Sequence, residues 1–333
     1  MILVTGGRGF LGGAIVRLLL EAGANVRSLA RHHSGTLEAL GVEQFVGDLN
    51  DLALVHQAVS GCDLVYHVAA KAGVWGDYQD FYHANVIGTR NVINACRNHG
   101  VSRLVYTSSP SVVFDGTDME GVDESVPYPR HYHASYPHTK AQAEQLVLAA
   151  NGEELATVAL RPHLIWGPGD NHLVPRILER GRKGQLRRVG KGDNLIDAVY
   201  IDNAAAAHVQ AAEKLTIGSQ VAGRAFFIAN NEPIPLWGLV NRILDAGDLP
   251  PVTKTISPKI AYLAGALLET IYKNLRLAGE PRMTRFVARE LATAHWFDLS
   301  AARRAFGYQP QVSIDEGMER LRHWLQQEKF GEY

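Results

Sequence analysis

Tyr136-Pro137-His138-Thr139-Lys140 sets a phenol and an ammonium four residues apart, on one face of any helix that contains them, and Pro137 suits the first turn. Free tyrosine ionises near a pKa of ~10. A neighbouring ammonium favours the phenolate, so the pair predicts a phenol brought toward neutral pH and fit for general acid or base work. Upstream, Leu104-Val105-Tyr106-Thr107-Ser108-Ser109 reads as a strand that ends in hydroxyls. Ser109 is placed to hold a carbonyl or alkoxide oxygen while Tyr136 moves a proton, an electrostatic rather than a nucleophilic role; the other reading is that these hydroxyls only cap the strand end. The Tyr–Lys spacing recurs by chance in many helices. Its meaning rests on what else reaches the same edge.

Thr5-Gly6-Gly7-Arg8-Gly9-Phe10-Leu11-Gly12 follows the first strand and opens the first helix, where glycines let backbone N–H groups approach a pyrophosphate. Two glycine registers overlap: Gly6, Gly9 and Gly12, or Gly7, Gly9 and Gly12. Either predicts dinucleotide binding. The second strand ends in Ala30-Arg31-His32, with no carboxylate for the adenosine ribose hydroxyls of NAD. Arg31, joined by Arg8, could instead bind a 2′-phosphate, which selects NADP(H) over NAD(H); otherwise Arg31 is a solvated surface arginine. Asp48-Leu49, after the third strand, either meets the adenine amino group or forms a plain turn or helix cap.

These residues need a sheet whose carboxyl edge brings them together. Apolar runs at Ile2 to Val4, Val26 to Leu29, Gln44 to Val46, Leu64 to Val68, Leu104 to Thr107 and Thr157 to Leu160 read as strands. Helices are predicted near Leu11 to Ala22, Leu52 to Val59, Phe81 to Asn98 and Pro137 to Ala149, with Gly23 and Gly100 at their ends. This is an α/β chain with a Rossmann-type, doubly wound parallel sheet. After Trp166 the rhythm breaks, which predicts a smaller, discontinuous C-terminal substrate lobe. The dinucleotide-binding domain is placed at 1–166, with returns near 198–229 and 296–309; the substrate lobe takes 167–197, 230–295 and 310–333.

The composition of the 333 residues excludes several other classes. Lys and Arg number 33 against 34 Asp and Glu, so no basic footprint points to nucleic acid. Cys62 and Cys96 are too few for a disulfide framework and point to a reducing compartment, the cytoplasm. Met1-Ile2-Leu3-Val4 runs straight into the glycine loop with no leader pattern. The apolar stretch Ile260 to Tyr272 is too short for the ~20 residues of a membrane span. His67, His131, His133 and His138 show no metal-ligand spacing on a helix, so no metal is expected, and His67 is placed to support the loop beneath the cofactor.

The chain resembles the extended short-chain dehydrogenase/reductases, in the branch of the 3β-hydroxysteroid and 4α-carboxysterol 3-dehydrogenases. The likeness runs nearly end to end, through Thr5 to Gly12, His67-Val68-Ala69-Ala70, Asn85-Val86-Ile87-Gly88-Thr89, Thr107-Ser108-Ser109, Tyr136 to Lys140, Arg161-Pro162, Trp166-Gly167-Pro168 and Tyr200-Ile201-Asp202-Asn203. Lys71 to Gly76, Leu160 to Pro175 and Gly279-Glu280-Pro281 through His295-Trp296 are similar to the bacterial reductases of long-chain olefin biosynthesis. This resemblance implies that Ser109, Tyr136 and Lys140 carry the chemistry and that Lys140 also binds the nicotinamide ribose. It places Ala69, Ala70, Pro162 and His163 beside the cofactor. The implied reaction is reversible, NADPH-dependent reduction of the 3-keto group of a 2-alkyl-3-oxoalkanoate, by a homodimer paired through the helices at Phe81 to Asn98 and Pro137 to Ala149.

Such a lipid-like keto acid needs a cation and an apolar groove, each buried CH₂ contributing ~0.8 kcal/mol. Lys71 is placed to meet the carboxylate, with Arg282 and Arg285 more distant, and Trp75, Trp166, Trp237 and the Ile260 to Tyr272 helix are candidates for the groove; core packing is the competing role. The alternatives are a sterol dehydrogenase, a sugar-nucleotide epimerase or dehydratase, and a non-enzymatic NADP(H) sensor. An epimerase would more often carry an acid at Ala30. A dehydratase would carry acids where Ala134-Ser135 stand.

Overall fold

The computed structural model describes residues 1–330, and positions 331–333 of the expected substrate lobe lie outside the described residues. Thirteen strands appear among those residues: β1 (Ile2–Thr5), β2 (Val26–Ala30), β3 (Glu43–Val46), β4 (Leu64–His67), β5 (Arg103–Thr107), β6 (Met119–Val122), β7 (Ala156–Pro162), β8 (Arg188–Val189), β9 (Leu195–Ile196), β10 (Arg224–Ile228), β11 (Ile234–Pro235), β12 (Thr255–Ile256) and β13 (His295–Phe297). Seven of them form one parallel sheet in the order β10-β7-β5-β4-β1-β2-β3. The six expected strands are all in it, and β10 extends the edge. The order in which strands are added reverses between β1 and β4, the switch point at which open α/β sheets bind ligands.

Strand periodicity builds two cores. Leu3, Val65 and Leu104 point into one apolar cluster, while their neighbours Val4, Tyr66 and Val105 point into the other. Helices Phe10–Glu21 and Ile201–Lys214 pack together on one face; Leu52–Val59, Gly88–Asn98 and Ser135–Ala149 cover the other. Buried on both sides, the inner strands β1, β4 and β7 read as nearly continuous apolar runs, whereas the edge strand β3 is half exposed.

The expected helix from Phe81 to Asn98 is not uniform. A turn at Tyr78–Phe81 leads into a π-helical stretch, Tyr82–Ile87, before ordinary α-helix resumes at Gly88. Beyond the main sheet, β6, β9, β11 and β13 form a four-stranded sheet in which β6 pairs with β13, and β8 pairs with β12. One buried ion pair fixes the central helix to the sheet: Arg161 of β7 donates from Nε and Nη2 to Glu144 of helix Ser135–Ala149, at 3.0 and 2.6 Å.

Candidate active site

At the carboxyl end of β1 the glycine loop is shaped by close approach. A Cβ at Gly12 would lie 2.2 Å from the Gly6 carbonyl oxygen, and a Cβ at Gly6, whose φ is +72°, would lie 3.0 Å from the backbone of Ala69. Helix Phe10–Glu21 begins at Gly9 with no side-chain cap, so its first N–H groups face the loop unsatisfied, as an anion site requires. A cavity of about 700 Å³ runs from this loop past Arg8, Arg31, Asp48, Leu49, Ala69 and Ala70 to Ser109, Tyr136 and Lys140. Its length, glycine cradle and uncapped helix fit a dinucleotide.

Most of the expected cofactor residues line that cavity, Gly6, Gly9, Phe10, Leu11, Gly12 and Pro162 among them. Three do not. Gly7 faces Ser28, where a Cβ would come within 2.6 Å of the hydroxyl. Thr5 lies fully buried under the loop. His163 turns into a second cavity, its Nδ1 bonded to the Asp197 carbonyl at 2.9 Å. Asp48 forms a turn, accepting from the backbone N–H and the side-chain amide of Asn50. Arg8 and Arg31 are exposed and make no ion pair or hydrogen bond among the described residues, which leaves both guanidinium groups available to a ligand.

His67 supports the loop through a directed chain. Thr89 donates to the Asn85 carbonyl at 2.6 Å, so its oxygen accepts from His67 Nε2 at 2.9 Å. Nδ1 then accepts from Thr5 at 2.8 Å, and the Thr5 oxygen accepts from the Ala69 N–H at 3.1 Å. This order assigns the Nε2–H tautomer. Burial, with Lys140 nearby, lowers the ring to about 3 and keeps it neutral.

Of the three hydroxyls after β5, Thr107 is buried and bonded to His208 Nε2 at 2.9 Å, and Ser108 Oγ is buried without a partner. Ser109 alone of the three reaches a second cavity, of about 710 Å³, lined also by Phe114, Met119, Phe286 and Phe297. Tyr136 lines both cavities. The π-helical Asn85 braces this junction: its amide donates to the Lys71 carbonyl and to Thr139 Oγ1, each at 3.1 Å, and its oxygen accepts from Lys71 N at 2.8 Å. Loop, helix and catalytic candidates are thus locked to one another.

The protonation expected of Tyr136 is reversed. Burial pushes the phenol up to about 12, against the pull of Ser109. Lys140 does not offset this, because its ammonium donates to the Thr107 carbonyl at 2.5 Å and stands 4.1 Å over the Tyr106 ring. Burial lowers Lys140 itself to about 7, with Glu144 opposing. The Tyr136 phenol is therefore protonated at neutral pH.

Several substrate expectations are corrected. Trp166 is fully buried, edge-on to Tyr200, and Trp237 is also core. Trp75 packs against Tyr272 outside the cavity lining. Arg285 donates to Glu269 at 2.6 Å, away from both cavities. Lys71 lines only the nucleotide cavity and is bonded to Asp80 at 2.8 Å. Sequence reasoning missed Arg176, Glu280, Glu290 and His295, which line the second cavity. Glu280, Glu290 and His295 fall within Gly279 to Trp296, a segment that carries the resemblance, whereas Arg176 lies one residue beyond Leu160 to Pro175. Among the described residues no His, Cys, Asp and Glu side chains gather as a metal set, and no helix is long and apolar enough to cross a membrane.

Comparison with known proteins agrees with this geometry. The 3-beta hydroxysteroid dehydrogenase/isomerase family matches residues 3–256. A 2-alkyl-3-oxoalkanoate reductase of Stenotrophomonas maltophilia is 55% identical, over 96% of this chain and 98% of the relative. The sterol-4-alpha-carboxylate 3-dehydrogenase, decarboxylating, of Mus musculus is 36% identical, over 95% and 88%. In the solved structures, MoeE5 in complex with UDP-glucose and NAD aligns with a TM-score of 0.75 at 25% identity, covering 98% of this chain and 99% of that one. With its Rossmann-type sheet, its glycine cradle and a serine, a tyrosine and a lysine at one edge, the chain belongs to the 3-beta hydroxysteroid dehydrogenase/isomerase family of extended short-chain dehydrogenases, oxidoreductases acting on CH–OH groups.

Proposed function

We propose that this oxidoreductase catalyses the reversible, NADPH-dependent reduction of the 3-keto group of a long-chain 2-alkyl-3-oxoalkanoate to the 3-hydroxy acid. The observation that carries the reading is the shared wall: Ser109 and Tyr136 face a dinucleotide-shaped cavity on one side and, on the other, a second cavity lined by both apolar and charged side chains. NADPH, when bound, supplies the hydride. Ser109 and Tyr136 hold the carbonyl oxygen, and Tyr136 gives it a proton as charge develops. Lys140, which lines the same cavity, would hold the nicotinamide ribose. The closeness of the bacterial 2-alkyl-3-oxoalkanoate reductase supports the substrate class. The same reading includes a cytoplasmic homodimer, with residues 1–166 and their returns serving the nucleotide and the remaining segments the substrate.

A sterol substrate is the second reading, favoured by the murine relative. Initial rates of NADPH oxidation with long-chain 2-alkyl-3-oxo acids, 3-ketosteroids and UDP-sugars decide among the classes; turnover confined to steroids or sugar nucleotides overturns the first. Cofactor choice rests on Arg31. Arg31→Ala is expected to weaken NADPH roughly tenfold, about one charge-assisted hydrogen bond, and to leave NADH unchanged in a fluorescence titration. Equal affinity of mutant and wild type for NADPH would refute this assignment.

A further inference from the structure

With Lys71 held by Asp80, a substrate carboxylate lacks the cation expected for it. The second cavity offers one guanidinium, Arg176, against three carboxyls, Glu179, Glu280 and Glu290. His163 and His295 cannot replace it, since burial keeps both rings neutral. Glu290 shares the cavity with Tyr136, and burial pushes its carboxyl up to about 7, so it supplies no cation for a substrate acid either.

Arg176, on helix Leu173–Arg182, is engaged in a revealing way. Its Nη2 donates to Glu280 Oε2 at 2.6 Å, while Glu280 Oε1 accepts from the Val74 N–H at 3.3 Å. Gly73 makes room for this carboxylate, since a Cβ there would lie 2.9 Å from Oε1. Both residues of the pair are partly exposed, 41% and 34% for the side chains, so the contact can exchange at small cost. Ala72, two residues before Val74, lines both cavities, so the loop that presents this N–H starts at the nucleotide chamber.

We propose that Arg176 and the Val74 N–H form the carboxylate subsite for the 3-oxo acid, and that Glu280 is an internal stand-in which the incoming carboxylate displaces. A guanidinium and a backbone N–H together are the donors a carboxylate accepts from. This rests on the proposed keto-acid reading. It makes Arg176 the residue that separates acids from neutral ketones and Glu280 a competitor for the same donors.

Two substrates of equal chain test it: a 2-alkyl-3-oxo acid and its methyl ester. Arg176→Met, which keeps the aliphatic stem, is expected to raise KM for the acid about tenfold or more with the ester unchanged, and Arg176→Lys to restore part of the loss. Glu280→Gln should lower KM for the acid several-fold without moving the ester. A loss shared by acid and ester in Arg176→Met, no loss in either, or a raised KM for the acid in Glu280→Gln overturns the subsite. If wild type reduces neither compound, the keto-acid reading has failed. The subsite is then read by calorimetry with a saturated 2-alkyl acid and its ester: acid binding abolished by Arg176→Met supports it, and binding indifferent to the substitution overturns it.

Discussion

Replacing Tyr136 by Phe is expected to lower kcat for ketone reduction by roughly 10²–10⁴-fold, the contribution typical of a positioned proton donor. NADPH affinity should stay near wild type, because the change removes one oxygen and leaves the ring that lines the cavity. The sign of the pH dependence follows from the site. With the phenol raised to about 12 by burial, Tyr136 is protonated through the neutral range, so it adds no inflection of its own to reduction between pH 6 and 9, a window in which Lys140, lowered to about 7, is the group that titrates. Oxidation of the alcohol must deliver a proton to a scarce phenolate, and its rate should climb with pH toward that value. Steady-state kinetics in both directions check both points. A Phe variant within about fivefold of wild type, where a donor contributes 10² or more, would remove Tyr136 from the chemistry.

Glu144→Ala is expected to cost about 3–5 kcal/mol of stability, the penalty for stranding a buried charge. The side chains of Arg161 and Glu144 are 3% and 0% exposed. Glu144 accepts both guanidinium bonds and also the Tyr128 hydroxyl at 2.6 Å, so its loss leaves three donors without an acceptor. Arg161 cannot escape, held 5.2 Å from the Phe227 ring centre and 5.8 Å from that of Tyr128. Urea unfolding measures the loss. The double change Arg161→Met with Glu144→Leu should recover much of it, since no charge is then left buried. A single-mutant loss below about 1 kcal/mol would mean that water or another acceptor reaches Arg161.

The sheet was legible because its inner strands are buried on both faces and write themselves as apolar runs. The glycine loop was legible because closeness to Ala69 and Gly6 tolerates only glycine. Tyr136 and Lys140 declared themselves by helical spacing taken together with the glycine loop and the Ser109 hydroxyl expected at the same sheet edge. Partner choice was not readable in this way. Lys71 sits at the right edge of the sheet, yet Asp80 takes its ammonium; Arg285 is cationic, yet Glu269 holds it. Trp166 looks like a groove aromatic until Tyr200 closes over it. The phenol's protonation went astray for a related reason, since spacing shows that Lys140 is near but not that Thr107 and Tyr106 have claimed it. β8, β9, β11 and β12, of two residues each, carry no periodicity to read.

The widened π-turn at Tyr82–Ile87 imposes a constraint on chain length rather than on side-chain identity. Each helical residue turns the chain by about 100°. Deleting one residue before Asn85 would let the turn rewind to ordinary pitch, swinging that amide off Thr139 and Lys71, while Thr89 and the helix beyond kept their seat against His67. Deleting one after Thr89 would spare both. An insertion or deletion in this segment would therefore unkey the two halves of the enzyme from each other.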